Sequence, residues 1–388
     1  MAREIYLDYA ATTPVDPRVI EVMAECLGPD SDSANPSSTH APGRRAWVRV
    51  ETARAQIAER IGASPDTVYF TSGATESDNM ALVGAMRANE HRGRHMITSA
   101  LEHKAILDTA RALEVQGVEV TYIGHDSDGV IDPDRLAEAF RDDTVLVSIM
   151  HVNNETGVLQ DIEALGRRCR ERGVLFHVDA AQSTGKVPLM LKQWPVDLLS
   201  LTAHKTYGPM GIGAIYIRKG VSLRPLIHGG EQEGGVRPGT LATHQIAGFG
   251  KAFELADPER DGPVMAAMRD RLWAGLRAIE AVSLNGHPTQ RSPHVLNVTF
   301  PGVEGDSLQL ALAGVAISAG SACNSDVPEP SHVLRGMGLS DALAASTLRF
   351  SLGRFTTEAQ IDYVVGRIRE EVPRLRALAS GAPAWTVS

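Results

Sequence analysis

Short apolar runs alternate with amphipathic stretches through the first two-thirds of the chain. Runs such as residues 198–202 are too short for a buried helix and predict strands, whereas stretches such as 162–172 carry apolar residues at helical spacing. The predicted strands are residues 67–71, 95–99, 118–123, 144–150, 174–178, 198–202 and 212–217. Because helices separate these strands, the pattern predicts an α/β fold with a mostly parallel sheet covered on both faces.

The pattern changes after residue 250. Longer helical stretches (253–256 and 265–279) are followed by shorter strands (296–300 and 348–352), while residues 257–263 have the composition of a linker. A chain of 388 residues is longer than one hydrophobic core usually supports. We therefore expect a large domain of residues 15–257 and a smaller α+β domain of residues 1–14 and 258–388.

Composition excludes several classes of protein. The net charge of −9 gives no electrostatic reason to bind nucleic acid or an anionic membrane. No signal-like segment and no apolar run of about 18 residues is present, so we expect a cytoplasmic protein. The three cysteines form neither a disulfide framework nor a metal motif, and no other metal site is evident. Cys26 and Cys169 fall on apolar helix faces and are predicted to be core residues.

The most informative single residue is Lys205. It follows the buried strand 198–202, and open α/β sheets bind ligands at the carboxyl ends of their strands. A partly desolvated lysine there has a lowered pKa and can form a Schiff base with a carbonyl cofactor such as pyridoxal 5'-phosphate (PLP). The alternative is an ordinary surface lysine. The glycines after Lys205 lead into a strand rather than a helix, which argues against a dinucleotide fingerprint.

Two further strand ends carry polar residues that suit a phosphorylated, cationic ring. The first N–H groups of the helix at Ala74 and Thr75 would bind a phosphate, although a plain helix cap explains the same residues. Asp179 ends an apolar strand, where a carboxylate needs a cation such as a protonated pyridine nitrogen. Gln182 can then donate to a phenolate oxygen on the same ring. The alternative for Asp179 is again a helix cap.

Four other residues are candidates for chemistry or substrate binding. Asn154 follows the strand 144–150, and His103 opens a helix after the strand 95–99, where it could stack on a flat ring and move protons. Arg349 is a charge within an apolar strand and suits a carboxylate, unless it forms an internal salt bridge. Cys323 lies among small residues without a helical or strand period, so we expect an accessible, nucleophilic thiol on a mobile loop.

Six ordered motifs together give a resemblance to a known family. They are Thr71-Ser-Gly-Ala-Thr-Glu-Ser-Asp-Asn79, His151-Val-Asn-Asn-Glu-Thr-Gly157, His177-Val-Asp-Ala-Ala-Gln182, Ala203-His-Lys205, Gly320-Ser-Ala-Cys323 and Arg349-Phe-Ser-Leu-Gly353. In this order they resemble the cysteine desulfurases of the NifS/IscS type, and the similarity extends over nearly the whole chain. The resemblance implies a homodimer of the PLP-dependent transferase fold (type I) that takes sulfur from L-cysteine, releases L-alanine and passes the sulfur to an acceptor protein, for iron–sulfur cluster assembly or other thiolation.

The resemblance also implies a role for each matching residue. Lys205 would bind PLP covalently, Asp179 would pair with the ring nitrogen, Gln182 would meet the ring oxygen, and His103 would stack on the ring as acid and base. Cys323 would attack the substrate sulfur and keep it as a persulfide. Asn154 and Arg349 would hold the substrate carboxylate. The phosphate would be bound by Ala74, Thr75, Thr202, His204 and, from the other subunit, Thr240.

Three departures from the family pattern leave alternatives open. Thr202-Ala203 stands where the family usually has Ser-Gly, and Glu231 replaces a usual glycine. The tail ends earlier than in housekeeping members, which puts docking of the usual iron–sulfur scaffold in doubt. The alternatives are a selenocysteine lyase or other PLP-dependent β-eliminase, in which Cys323 is incidental, and a binding platform for sulfur acceptors with weak catalysis.

Overall fold

The computed structural model describes residues 4–319 and 330–379. Its strands are β1 (Ile5–Tyr6), β2 (Val68–Thr71), β3 (His95–Ser99), β4 (Glu119–Ile123), β5 (Thr144–Ser148), β6 (Leu175–Asp179), β7 (Leu198–Thr202), β8 (Gly213–Ile217), β9 (Ser283–Leu284), β10 (Val295–Thr299), β11 (Val315–Ala316), β12 (Ser318–Ala319) and β13 (Thr347–Ser351). Its α-helices are α1 (Pro17–Ala24), α2 (Ala41–Ile61), α3 (Ala74–Ala88), α4 (Lys104–Val115), α5 (Pro133–Ala139), α6 (Ile162–Arg172), α7 (Thr243–Glu254), α8 (Pro258–Leu276), α9 (Gly305–Ala311), α10 (His332–Gly336), α11 (Asp341–Ala345) and α12 (Glu358–Ala379).

Seven strands form the large sheet, in the order β2-β8-β7-β6-β5-β3-β4. All neighbouring pairs are parallel except those of β8, which runs antiparallel to both β7 and β2. The strands β5, β6 and β7 are buried almost throughout, as expected for a sheet with helices on both faces. The carboxyl ends of β3, β5, β6 and β7 therefore meet at one edge, and this edge carries the candidate site.

The hydrophobic core is divided between two regions of the chain. Residues from Val50 to Phe253 pack on the two faces of the large sheet in two clusters. A separate cluster joins Leu7 to apolar residues between Met268 and Val372, around the antiparallel sheet β12-β13-β10-β9. The N-terminal strand β1 pairs with β11, so the first residues of the chain pack with its C-terminal third.

The structure confirms the predicted α/β pattern and corrects it at two segments. The predicted helix 253–256 is only the end of α7, which begins at Thr243 and ends at Glu254. Residues 257–263 are not a linker: Asp257 caps α8 by accepting a hydrogen bond from the Arg260 N–H, and Pro258 occupies the first helical turn. Proline and acidic residues at a helix start resemble a linker in composition, because a helix start also uses residues that favour turns. Cys26 and Cys169 are buried as predicted. None of the described helices is long and apolar enough to cross a membrane.

Candidate active site

A cleft of about 570 Å³ opens at the carboxyl edge of the large sheet. Nine of the twelve residues predicted from the sequence line it: Ala74, Thr75, His103, Asn154, Asp179, Gln182, Thr202, His204 and Lys205. They come from five separate stretches of the chain, and the parallel order of the strands brings those stretches together. Of the other three, Arg349 contacts a lining residue, Thr240 is not among the lining residues, and Cys323 is outside the described residues.

Lys205 lies in a tightly held turn directly after β7. The hydroxyl of the next residue, Thr206, donates to the Thr184 carbonyl at 3.0 Å, and Tyr207 adopts a left-handed φ of 62°. The Tyr207 N–H donates to the Thr13 hydroxyl at 2.7 Å, which offsets part of the strain of that conformation. Burial lowers the pKa of the Lys205 amine. The fold therefore provides a restrained amine that loses its proton more readily than a surface lysine.

Asp179 ends β6, the strand next to β7, and lines the same cleft. Its Oδ1 accepts a hydrogen bond from the Ala181 N–H at 2.8 Å, but the following residues form turns and not a helix, so the helix-cap alternative is wrong and the carboxylate caps a turn. Gln182, in the following turn, donates from Nε2 to the Ala10 carbonyl at 2.8 Å. The second Nε2 proton is available for a ring oxygen, because an amide nitrogen carries two donors.

A phosphate-sized cradle forms where α3 begins. The first N–H groups of α3, at Ala74 and Thr75, have no acceptors within the helix. Gly213 allows β8 to approach this turn, since a Cβ at that position would lie 2.6 Å from the Gly73 Cα. The Thr202 hydroxyl is buried and has no hydrogen-bond partner within residues 4–319 and 330–379. These donors and the positive end of the helix dipole suit an anion.

His204 completes the cradle from the β7 side. Its Nδ1 lies 3.1 Å from the Thr12 hydroxyl, and burial together with the Lys205 charge lowers its pKa to about 4. The ring is therefore neutral near pH 7 and can donate one N–H without adding charge.

His103 caps α4 and presents its ring to the cleft. The Nδ1 atom accepts a hydrogen bond from the Ala105 N–H at 3.1 Å, so a neutral ring carries its proton on Nε2. Burial lowers the pKa of His103, which keeps the imidazole neutral near pH 7. This arrangement leaves one ring nitrogen as the group that can exchange a proton with a ligand.

Arg349 extends from the middle of β13 toward the rim of the cleft. Its Nη1 donates to the Asn154 carbonyl at 2.9 Å, and its Nη2 donates to Asp8 Oδ1 at 2.8 Å. Its Nε and the Asn154 Oδ1 are both buried without a partner among the described residues. The internal salt bridge that the sequence left open is thus present, and the guanidinium still has a free donor beside Asn154.

The sequence did not single out the residues of the N-terminal segment that shape the cleft. Ala11 and Thr12 line it, and Asp8 holds Arg349. A second residue not singled out is Asp78, an acid on α3 that also lines the cleft. The N-terminal segment has no hydrophobic period, and its place in the site depends on the pairing of β1 with β11, which the sequence pattern alone does not specify.

Thr240 is exposed and does not line the cleft of its own chain. The nearby Arg237 forms a salt bridge with Glu76 of α3 at 2.7 Å, which ties the segment carrying Thr240 to the start of that helix. Glu231, one of the departures from the family pattern, is exposed. Within residues 4–319 and 330–379 no three His, Cys, Asp or Glu side chains are placed to hold a metal ion.

The residues of the cleft fit PLP. The buried amine of Lys205 suits the PLP aldehyde, and the Asp179 carboxylate suits a protonated ring nitrogen. The cradle at the start of α3 suits the phosphate. The unpartnered Thr202 hydroxyl is an independent indication, because buried polar atoms normally have hydrogen-bond partners.

Comparisons with known proteins agree with this chemistry. The aminotransferase class-V family model matches residues 5–364. The cysteine desulfurase IscS of Vibrio atlanticus is 53% identical over 390 residues, covering 99% of this chain and 96% of that protein. The IscS of Klebsiella pneumoniae subsp. pneumoniae has the same identity and coverage.

Two solved structures have the same fold. A NifS-like protein has a TM-score of 0.89 at 38% identity and covers 95% of this chain and 99% of its own. The structure of SspA in complex with cysteine has a TM-score of 0.81 at 40% identity and covers 91% of this chain and 100% of its own. The chain belongs to the PLP-dependent class-V aminotransferase family, among the cysteine desulfurases of the NifS/IscS type.

Proposed function

We propose that this chain is an L-cysteine desulfurase that produces L-alanine and an enzyme persulfide. The observation that carries the proposal is the meeting of Lys205, Asp179 and the α3 phosphate cradle in one cleft. The comparisons favour this function over the two alternatives from the sequence, because the relatives that cover nearly the whole chain bear desulfurase names. PLP, when bound, would supply an electron sink for cleavage at the substrate carbons.

Substrate would be bound through its carboxylate. Arg349 Nη1 donates to the backbone carbonyl of Asn154, and both the Arg349 Nε and the Asn154 Oδ1 have no partner among the described residues. Charge-assisted hydrogen bonds of this kind are roughly twice as strong as neutral ones and fix the orientation of a carboxylate. We expect these two residues to point the substrate sulfur away from the buried end of the cleft.

Proton transfer is assigned to Lys205, with His103 beside it as a neutral hydrogen-bond donor. The lowered pKa of Lys205 makes its amine available to accept a proton, and His103 carries its N–H on Nε2, where it can donate a hydrogen bond to a ligand. Both groups line the same cleft and have their pKa lowered chiefly by burial. Burial moves the pKa of Lys205 toward neutrality, so this amine is suited to proton transfer near pH 7, whereas His103 stays neutral there.

The sulfur transfer is assigned to Cys323. Its thiolate would attack the substrate sulfur, so an S–S bond forms while the C–S bond of cysteine breaks, and the released electron pair stays on carbon, which takes up a proton to give alanine. The balance is one thiol and one cysteine in, one persulfide and one alanine out, and no external oxidant is needed. This assignment is supported by the sequence motif and by the burial of Cys26 and Cys169.

The test is alanine formation from L-cysteine together with persulfide on the protein. We expect Cys323→Ala to lose persulfide and sulfide release in the presence of a reductant, whereas the matched controls Cys26→Ala and Cys169→Ala retain both. Sulfide release that is undiminished in Cys323→Ala contradicts the persulfide role. Comparing alanine formation from cysteine and selenocysteine separates the desulfurase from a selenocysteine lyase.

The same proposal covers the whole assembly. We propose a cytoplasmic homodimer, in which Thr240 of one subunit completes the phosphate site of the other, and an acceptor protein that takes the sulfur. Exposed apolar side chains support an interface, among them Trp47, Val48 and Ile227.

The separate core clusters support a division of the chain into two domains, one of residues 15–257 and one of residues 1–14 together with 258–388.

A further inference from the structure

Asp78 is a buried acid at the cleft whose surroundings contain no cation bonded to it. It lies in the second turn of α3, only 1% of its surface is exposed, and neither carboxyl oxygen has a hydrogen-bond partner among the described residues. A buried carboxylate without a partner is strongly unfavourable, so the group either finds a ligand or keeps its proton.

The neighbouring histidine does not supply a charge. His177 Nε2 lies 3.7 Å from Asp78 Oδ1, but its two ring nitrogens already face the hydroxyls of Ser148 at 2.9 Å and Ser200 at 3.0 Å. Burial lowers the pKa of His177 to about 3, so the ring is neutral. Asp78 therefore borders on a neutral hydrogen-bonded chain that runs into the core.

The remaining charged groups near Asp78 do not offset its burial. Asp179, two residues after His177 on β6, and the buried acid Glu102 both disfavour a second negative charge, whereas Lys205 favours it. Burial and the Asp179 charge together raise the pKa of Asp78 well above its ordinary value, although the nearby Ser200 hydroxyl, which also faces His177 Nε2 at 3.0 Å, acts to lower it. These surroundings favour the carboxylic acid form of Asp78, which is neutral and has an O–H donor.

Asp179 lines the same cleft as Asp78 and is the charge that most disfavours its ionisation, and the strand partner of Asp179, Ser200, also approaches His177. We propose that Asp78 is a positioning residue that, as a carboxylic acid, donates a hydrogen bond to the Asp179 carboxylate and steadies it toward the PLP ring nitrogen. The inference rests on the proposed function only for the identity of PLP. A carboxylic acid that an apolar site keeps neutral can donate a hydrogen bond to a neighbouring anion in this way.

The test compares two substitutions in the holoenzyme. Asp78→Asn keeps a neutral donor, whereas Asp78→Leu removes the donor and keeps the branching at Cγ. The exposed Asp108 on α4, whose side chain is 61% exposed, provides the control Asp108→Asn. We would measure the infrared carbonyl band of un-ionised carboxylic acids, the dissociation constant of PLP, and the pH titration of the bound chromophore.

We expect the infrared difference between the parent and Asp78→Asn to contain an un-ionised acid band that the Asp108→Asn difference lacks. Loss of one hydrogen bond to a charged group should weaken PLP binding roughly ten- to hundred-fold in Asp78→Leu, with little change in Asp78→Asn. The chromophore of Asp78→Leu should also titrate at a shifted pH.

Absence of the acid band would overturn the inference, as would an Asp78→Asn protein that loses PLP as readily as Asp78→Leu. The infrared result does not depend on folding of the leucine variant. A protein that shows the band and the PLP pattern but forms no alanine from cysteine would contradict the proposed function and still support this role of Asp78.

Discussion

Burial determines the acid–base properties of individual residues in the cleft. His103 has its pKa lowered by burial, so its neutral form persists to a lower pH than that of an exposed histidine, whose pKa is about 6.5. If the reaction needs the neutral ring, kcat should stay constant as the pH is lowered to 6.5 and should decrease only below that pH. A kcat profile over pH checks this expectation, and an acid limb that sits above pH 6.5 contradicts it.

The role of His103 itself is tested by substitution. We expect His103→Gln to lower kcat by roughly 10²- to 10⁴-fold, the usual contribution of a positioned acid–base group, and to remove the acid limb. His95, which is buried between the hydroxyls of Thr144 and Thr121, is the matched control, because it lies away from the cleft. Equal losses in both variants would show that His103 acts only through the fold.

Asp8 governs the orientation of Arg349. In Asp8→Ala the guanidinium loses a 2.8 Å partner, so we expect KM for L-cysteine to rise by about ten-fold, the size of a lost hydrogen bond to a charged group. Asp8→Asn keeps an acceptor oxygen and removes a competing negative charge, so its KM should stay at or below that of the parent. Steady-state kinetics decide this, and equal KM increases in both variants would exclude the orienting role.

Residues at strand ends could be predicted from the sequence, whereas residues placed by long-range pairing could not. Lys205 and Asp179 each follow an apolar strand, and that local signal leads to the cleft in which both lie. Asp8 is brought to the site by the β1 pairing with β11, and Asp78 appears to the sequence as an ordinary polar helix residue. Only the surrounding structure reveals that Asp78 is buried and that its carboxyl oxygens have no hydrogen-bond partner in the part of the chain that the structure describes.

At the scale of elements, the contact between α2 and α7 depends on close approach of the two helices. A Cβ at Gly250 of α7 would lie 2.4 Å from the Ala53 Cα of α2. Gly250→Ala should therefore destabilise the protein by about 1–3 kcal/mol through overpacking. Gly366 in α12 has no atom within 4 Å of a built Cβ, so Gly366→Ala should stabilise by about 0.5–1 kcal/mol. Denaturant unfolding of both variants measures the difference, and stabilisation by both would contradict the close packing.

Regular elements were predicted with bounds close to those observed, because apolar period and end signals are local. The helix α6 and the strands β3 and β7 match their predicted ranges. The prediction of a linker at residues 257–263 was wrong because Asp257-Pro258 is a helix start, and the same two residue types also mark turns and linkers. The composition of a segment thus does not distinguish a helix start from a linker, and the hydrogen bond of the Asp257 cap decides it.

At the scale of the whole molecule, the proposed phosphate site needs two subunits to be complete. Thr240 is exposed and does not line its own cleft, as expected for a residue that serves the partner. Light scattering should therefore give twice the chain mass of 41.6 kDa. A monomer with full PLP occupancy would contradict this arrangement.

Subunit mixing tests the contribution of Thr240 more directly. We expect Lys205→Ala to be inactive and Thr240→Val to bind PLP weakly. A mixed dimer of the two variants contains one site with both native residues, so co-expression should restore activity to about half of the parent value per dimer if each site acts independently. Activity that is not restored would place Thr240 outside the partner's site.

The site of covalent PLP attachment is the most direct test of the central claim. The purified holoenzyme would be reduced with borohydride, digested and mapped by mass spectrometry. The account predicts a phosphopyridoxyl group on Lys205 and none on Lys186, a buried lysine whose pKa is lowered to about 7 and which serves as an internal control. Attachment at Lys186, or a protein that binds no PLP, would contradict the assignment of this cleft as the catalytic site.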